Sequence, residues 1–184
     1  MSQETIDFSR IYDHFSKMAI TKFNAEGEVP PALIMVKFKE GGESNGDVLK
    51  MGVVAPEMTE EFFSGEEGKD KLAHFIRESL TEGEELRAVL EKEAQFAPDA
   101  IIQISEAWVA TAKNEEDIGT TPPSQRANRK EALLVLIHHR WGGTIAGMHT
   151  IEDEPTRHAT FQELDQKMVI TGRMAMTPPK MSMH

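Results

Sequence analysis

Residues 131–151 decide the fold, and they read Glu-Ala-Leu-Leu-Val-Leu-Ile-His-His-Arg-Trp-Gly-Gly-Thr-Ile-Ala-Gly-Met-His-Thr-Ile. An apolar run and a second, alternating run flank Gly142-Gly143. Two central glycines supply the positive φ angles of a two-residue hairpin turn, and β-branched and aromatic residues favour strands on either side. The stretch therefore predicts a β-hairpin with strands at 131–141 and 144–151.

The register of this hairpin follows from the position of the turn. If Gly142-Gly143 form the whole loop, Trp141 lies opposite Thr144. Side chains alternate between the two faces of a strand, so His138 and His149 become diagonal neighbours on one face. Residues 133–137 are apolar on both faces, which predicts a central strand covered by helices on two sides or by a second copy in a dimer.

The remaining periodicities predict an α+β domain, in which an antiparallel sheet of about four or five strands is packed by an N-terminal helix and two middle helices. We expect one domain over residues 1–173 and a tail rich in Met and Pro at 174–184. The predicted strands are 33–39, 48–54, 100–112, 131–141 and 144–151, and the predicted helices are 5–24, 69–80 and 84–96.

Composition excludes several classes of protein. The 184 residues include no cysteine, so disulfides and thiolate chemistry are excluded. No apolar run is long enough to span a membrane, and the N-terminus lacks the pattern of a signal peptide, which predicts a cytoplasmic protein with no membrane partner. The net charge of -11 argues against direct nucleic-acid binding, which needs a basic surface.

The acid is concentrated in one segment. Residues 57–99 hold 13 Asp and Glu against 5 Lys and Arg, a local charge of -8. Such a segment is commonly the solvated side of helices, but it is also a candidate surface for a basic partner. The candidate partner-binding residues are Glu84, Glu85, Glu91 and Glu93. Phe62 and Phe63 are a further candidate contact, although such a pair more often anchors its loop to the core.

A second cluster of candidates lies around the central hairpin. Glu106 interrupts an apolar strand, so its carboxylate should pair with Arg140, Arg129 or Lys130. Together with His138, His149 and Arg140 it would form a catalytic or ligand-binding pocket with a Glu general acid or base. Two histidines alone do not make a metal site, and we predict no metal and no cofactor. Arg126, Arg129 and Lys130 form a small basic patch that could hold an anion.

Three short stretches carry a resemblance. They are Ile104-Ser105-Glu106-Ala107-Trp108, Pro122-Pro123-Ser124-Gln125 and Arg129-Lys130-Glu131-Ala132-Leu133. Their order resembles a group of small uncharacterised proteins of bacteria and their phages, over about residues 69–151. The group has no assigned activity, so the resemblance implies only the arrangement helix, strand, loop, strand.

Two functions remain open. The first is a non-catalytic protein that binds a basic or nucleic-acid-binding protein through its acidic region, for example an anti-defence inhibitor in a phage or bacterial setting. The alternative is a small enzyme or ligand-binding domain that uses the Glu/His/Arg pocket. The alternative requires Glu106 and His138 to lie on the same face of the sheet. No glycine-rich phosphate loop, nucleophile elbow or His-Glu-x-x-His helix supports an enzyme.

Overall fold

The computed structural model describes residues 8–41, 46–80, 84–93, 95–110 and 121–164, with the backbone alone at 84–87 and 93. The predicted tail at 174–184 lies outside these residues. The described helices are α1 (Ser9–Glu26), α2 (Pro56–Phe62), α3 (Gly65–Leu80) and α4 (Glu84–Glu93). The described strands are β1 (Ala32–Phe38), β2 (Val48–Val53), β3 (Ala100–Val109), β4 (Lys130–His139), β5 (Thr144–Glu152) and β6 (His158–Ala159).

The strands form one antiparallel sheet in the order β2-β1-β3-β4-β5-β6. The predicted α+β class and antiparallel sheet are confirmed, with one strand more than expected. The additional strand, β6, has two residues and is too short to give an alternating pattern. α2 was also missed as a separate helix, because its seven residues are too few to show a helical period.

The predicted register of the central hairpin is wrong by three residues. His138, not Trp141, pairs with Thr144, and residues 140–143 connect β4 to β5. The cause is long-range, because the Arg140 N–H donates to the Asp99 carbonyl and Trp141 packs beside Phe8. A shift by an odd number of residues turns β5 over, so every β5 side chain changes face relative to the prediction.

The sheet is covered on both faces, as the apolar run in β4 predicted. α1 covers one face, where its buried side chains meet those of β1, β3, β4 and β5. α2 and α3 cover the other face, mainly over β1 and β3. The first core includes Phe8, Tyr12, Phe15, Phe23, Ile102, Leu133, Val135 and Ile137, and the second includes Leu33, Met35, Phe62, Leu72, Ile76, Leu80 and Ile101.

α1 follows its predicted amphipathic pattern and ends at a glycine. Gly27 adopts a φ of 82°, and its N–H donates to the Phe23 carbonyl over 2.7 Å. A left-handed residue after the last turn is favourable for glycine because it has no Cβ. No described helix is long and apolar enough to cross a membrane.

Candidate functional site

His138 is fully buried on the face of the sheet that α2 and α3 cover, which we call the α3 face; the opposite face, beneath α1, is the α1 face. Its Nδ1 lies 2.9 Å from Thr144 Oγ1, and its Nε2 lies 3.4 Å from Gln103 Oε1. A neutral ring with the proton on Nε2 donates to Gln103 and accepts from the Thr144 hydroxyl, so both nitrogens are satisfied. Burial, together with neighbouring His139, lowers the pKa of His138 to about 4. At neutral pH this side chain is therefore an uncharged part of the core.

His149 is equally buried, but on the α1 face. Its Nδ1 accepts the N–H of Gln162 at 3.0 Å, which leaves the proton on Nε2, 3.3 Å from the Tyr12 hydroxyl oxygen. The Tyr12 hydroxyl in turn donates to the Gln162 carbonyl over 3.0 Å. Burial lowers the pKa of His149 to about 4. These contacts form a closed, neutral hydrogen-bond network that fixes α1 to β5 and to residue 162.

Glu106 does pair with other groups, but none of the predicted partners is correct. One carboxylate oxygen accepts the Val29 N–H at 2.7 Å, and the other lies 3.3 Å from Arg157 Nη2. Arg157 also binds Glu131 at 2.7 Å, and its guanidinium lies over the ring of Phe23. Glu106 is therefore a structural residue that joins β3 to the segment before β1 and to the β5–β6 connection.

Arg140 pairs with a different carboxylate. Its Nη1 lies 3.0 Å from Oδ1 of Asp99, which also lies 3.4 Å from Lys37 Nζ. The Phe38 N–H donates to Oδ2 of Asp99 over 3.0 Å. Asp99 is buried, so this carboxylate holds together the end of β1, the start of β3 and the central hairpin. No local pattern predicts this role, because Pro98-Asp99 has the composition of an ordinary helix end.

The four residues of the predicted pocket do not converge. Glu106 of β3 lies opposite Leu133 of β4, and Leu133 lies opposite His149 of β5. Glu106 and His149 therefore lie on the same face of the sheet, but β4 separates them. His138 lies in register with Ile101 and faces the other side of the sheet. Arg140 lies near Asp99, at the opposite end of β3 from Glu106. The condition set for the Glu/His/Arg pocket is not met, and no group of three potential metal ligands occurs among the described residues.

The acidic segment forms the outer side of α2, α3 and α4. α2 and α3 bury apolar side chains against the sheet, and Leu90 of α4 is partly buried beside them. Most of the acidic side chains that the structure describes on these helices are exposed to solvent, and Glu78 is half-buried. Lys71 Nζ lies 2.7 Å from Glu61 and 3.2 Å from Glu67, and these hydrogen bonds raise the pKa of Lys71. Among described side chains, the exposed acids of this surface are Glu57, Glu60, Glu61, Glu66, Glu67, Asp70 and Glu91.

Asp99 and Phe62, which the sequence assigned to this surface, are buried. Asp99 belongs to the buried cluster described above, so residues 57–93 carry 12 acidic against 5 basic side chains. Phe62 is buried in the core beneath α3, 5.2 Å from the ring of Phe75, and Phe63 is partly buried beside it. Phe62 is therefore an anchor for α2 rather than an exposed contact. The side chains of Glu84, Glu85 and Glu93 lie outside the described part of the chain.

The predicted anion patch is largely used within its own loop. Arg126 Nε donates to the Thr121 carbonyl at 2.8 Å, and Arg129 Nη1 donates to the Ser124 carbonyl at 2.6 Å. The Arg129 guanidinium also lies 5.0 Å from the centre of the Trp108 ring. Lys130 is exposed at the start of β4. These contacts explain the basic residues as supports for the connection from β3 to β4.

Similarity to other proteins gives no further guide to function. No protein-family model, curated protein or solved structure matches the chain. Among the candidate residues whose side chains the structure describes, only those on the acidic outer side of the helices are both charged and largely free of contacts with the core.

The Asp99 cluster allows a direct test of its structural role. The variant Asp99→Asn keeps the volume but loses the charge that faces Arg140 and Lys37, and its NH2 group cannot accept a hydrogen bond. We expect a loss of about 2 kcal/mol in the free energy of unfolding, because the cations are partly exposed. Urea unfolding measures this loss. The control Asp153→Asn, at an exposed carboxylate 3.5 Å from Arg157, should change stability by less than about 0.5 kcal/mol. Equal effects of the two substitutions would contradict the assigned role.

Proposed function

We propose that this protein is a non-catalytic binding protein whose binding surface is the acidic outer side of α2, α3 and α4. The observation that carries the proposal is an excess of exposed acidic side chains over the basic side chains that could neutralise them. Glu57, Glu60 and Glu91 are exposed and make no ion pair with any described side chain, whereas Lys69 and Lys71 are engaged by neighbouring glutamates. The surface is therefore negative after its internal pairs are counted.

The chemistry of this surface defines the partner. An array of carboxylates on rigid helices attracts a protein with a basic surface and speeds its association. Proteins that bind nucleic acids have such surfaces, because they neutralise phosphates with Lys and Arg. We infer a basic or nucleic-acid-binding protein as the partner, met in the cytoplasm of a bacterium or during phage infection. Inhibition by charge mimicry in an anti-defence protein is the concrete version of this proposal.

Charge reversal on α4 tests the proposal. The variant carries Lys in place of Glu84, Glu85, Glu91 and Glu93. We expect its affinity for the partner to fall at least tenfold, about 1.4 kcal/mol, because each reversal replaces an attraction with a repulsion. Affinity of the natural protein should also fall as salt is raised, since exposed charges are screened. The measurement is capture from a bacterial lysate treated with nuclease, followed by titration with the purified partner.

A matched variant separates the surface from the net charge. Lys in place of Glu28, Glu40, Glu154 and Glu163 changes the total charge by the same amount, at exposed positions outside the three helices. This control should bind normally. The control should keep the unfolding transition of the natural protein, because exposed substitutions cost little stability. The same measurement checks that the α4 variant is folded. Binding that survives reversal on α4, or that is lost equally in the control, would refute the proposed surface.

A further inference from the structure

β2 forms an edge of the sheet and carries an apolar stripe that faces solvent. Within the described residues no strand pairs with its outer side. Leu49 is 57% exposed, Met51 is 56% exposed and Val53 is 70% exposed. These are three of the eight large apolar side chains that are exposed in the described part of the chain. An edge strand with such a stripe is a template for pairing with another strand.

The backbone of β2 is oriented for such pairing. The Val54 N–H donates to the Leu33 carbonyl, and Gly52 lies opposite Met35 in the same ladder. The ladder between β1 and β2 is regular over residues 50–53 and shifts by one residue at Leu49. Within the regular part the hydrogen-bonding direction alternates, so Gly52 directs its N–H and C=O towards β1. Met51 and Val53 therefore direct theirs away from the sheet. Both groups of Met51 are available for a partner strand.

The sequence of β2 is complementary to itself in one register. An antiparallel pairing centred on Met51 places Met51 opposite its own symmetry mate. It also brings the exposed side chain of Leu49, which lies at the irregularity of β2, beside Val53 of the second copy. It also places Lys50 opposite Gly52, so the single charge of β2 meets no like charge. A centre one residue earlier would set Lys50 against Lys50, which is destabilising. A centre one residue later would remove the contact between Leu49 and Val53.

We propose that β2 pairs with β2 of a second copy of this chain, centred on Met51, and extends the sheet across a two-fold axis. The proposal does not depend on the acidic surface. Residues opposite each other share a face of the sheet, so both α1 helices lie on the same side of the joined sheet. The side chains of Leu49, Met51 and Val53 from the two copies lie between these helices. The contact is small, and we expect a dissociation constant between about 10 µM and about 1 mM.

Salt distinguishes this contact from the proposed acidic binding surface. Each copy carries a net charge of -11, so the two copies repel each other. Screening this repulsion should strengthen the dimer as salt is raised. Partner binding through the acidic helices should instead weaken. Sedimentation velocity on the full chain, at low and high salt across the expected concentration range, measures the dimer directly.

Cysteine substitution tests the register, because the natural chain contains no cysteine. In the proposed pairing, residues 51 of the two copies have Cα atoms about 5.5 Å apart. Residues 49 of the two copies are four positions out of register, about 13 Å along the strands. A short bifunctional thiol reagent should therefore cross-link Met51→Cys into a dimer and leave Leu49→Cys uncross-linked. The pair Leu49→Cys and Val53→Cys, combined in one chain, should cross-link again.

A charge at the centre of the contact tests its energy. Met51→Lys places two like charges opposite each other and should weaken dimerisation at least tenfold. Val89→Lys, at a 52% exposed position on α4, adds the same charge outside β2 and should leave the dimer intact. Circular dichroism checks that both variants fold. A chain that stays monomeric at about 1 mM, equal cross-linking at positions 51 and 49, or a dimer that is indifferent to Met51→Lys would overturn the proposal.

Discussion

Replacing Gly147 with alanine is expected to destabilise the domain by about 3 kcal/mol, because the space beside its Cα is occupied by a buried ring. A Cβ at Gly147 would lie 1.9 Å from Cε2 of Tyr12 and 2.2 Å from its hydroxyl oxygen. Tyr12 is fully buried and bonded to Gln162, so the ring cannot move aside without breaking the network that includes His149. The substitution therefore forces α1 away from the sheet.

The free energy of unfolding in urea measures this effect, and a second strand glycine gives the control. A Cβ at Gly52 would lie 3.5 Å from the Phe96 ring, an ordinary van der Waals distance. Gly52→Ala should therefore change stability by less than about 1 kcal/mol. If both alanine variants lose the same stability, the Tyr12 ring can move to admit a side chain at position 147, and the prediction is wrong. If Gly147→Ala loses much more, α1 is fixed to the sheet through this one position.

The sequence predicts the elements of this fold better than their relative placement. The apolar run in β4 predicts a central strand covered on both faces, and α1 follows its helical spacing, because local patterns of burial determine both. The hairpin register fails because it depends on residues far away in the chain. The Asp99 carbonyl accepts the Arg140 N–H, and Phe8 packs with Trp141. The local preference for a two-residue Gly-Gly turn therefore does not determine the connection between β4 and β5.

The partners of the candidate site residues likewise depend on distant parts of the chain. A carboxylate in an apolar strand must be paired, so the sequence correctly indicates that Glu106 has a partner. The partner is Arg157, which is 51 residues later and stands in a segment without a clear strand or helix pattern. Likewise, no local pattern marks Tyr12 as the group that satisfies His149. Ion pairs and hydrogen bonds between distant residues depend on strand register, and one error in register exchanges the faces on which side chains meet.

Acidification is expected to unfold the protein chiefly between pH 6.5 and pH 4. Burial lowers the pKa values of His138 and His149 to about 4 in the folded chain, whereas the same groups titrate near 6.5 when unfolded. Above pH 6.5 both states hold neutral rings and stability is independent of these residues. Below pH 6.5 the unfolded chain binds protons that the folded chain does not, so stability falls with pH until the folded rings also titrate.

The expected loss is about 3 kcal/mol for each of these two histidines. Together they contribute about 6 kcal/mol, which is comparable to the whole stability of a marginally stable domain. Urea unfolding at a series of pH values measures it. The variant His149→Gln removes one titrating ring and should flatten the pH dependence, even if it lowers stability at pH 7. His74→Gln removes an exposed ring on α3 and should leave the slope unchanged. A free energy of unfolding that stays constant down to about pH 4.5 would show that water or a relaxed core accommodates charged His138 and His149. A fall in stability that His149→Gln reduces and His74→Gln leaves alone would instead assign the acid sensitivity to the neutral network that holds α1 on β5.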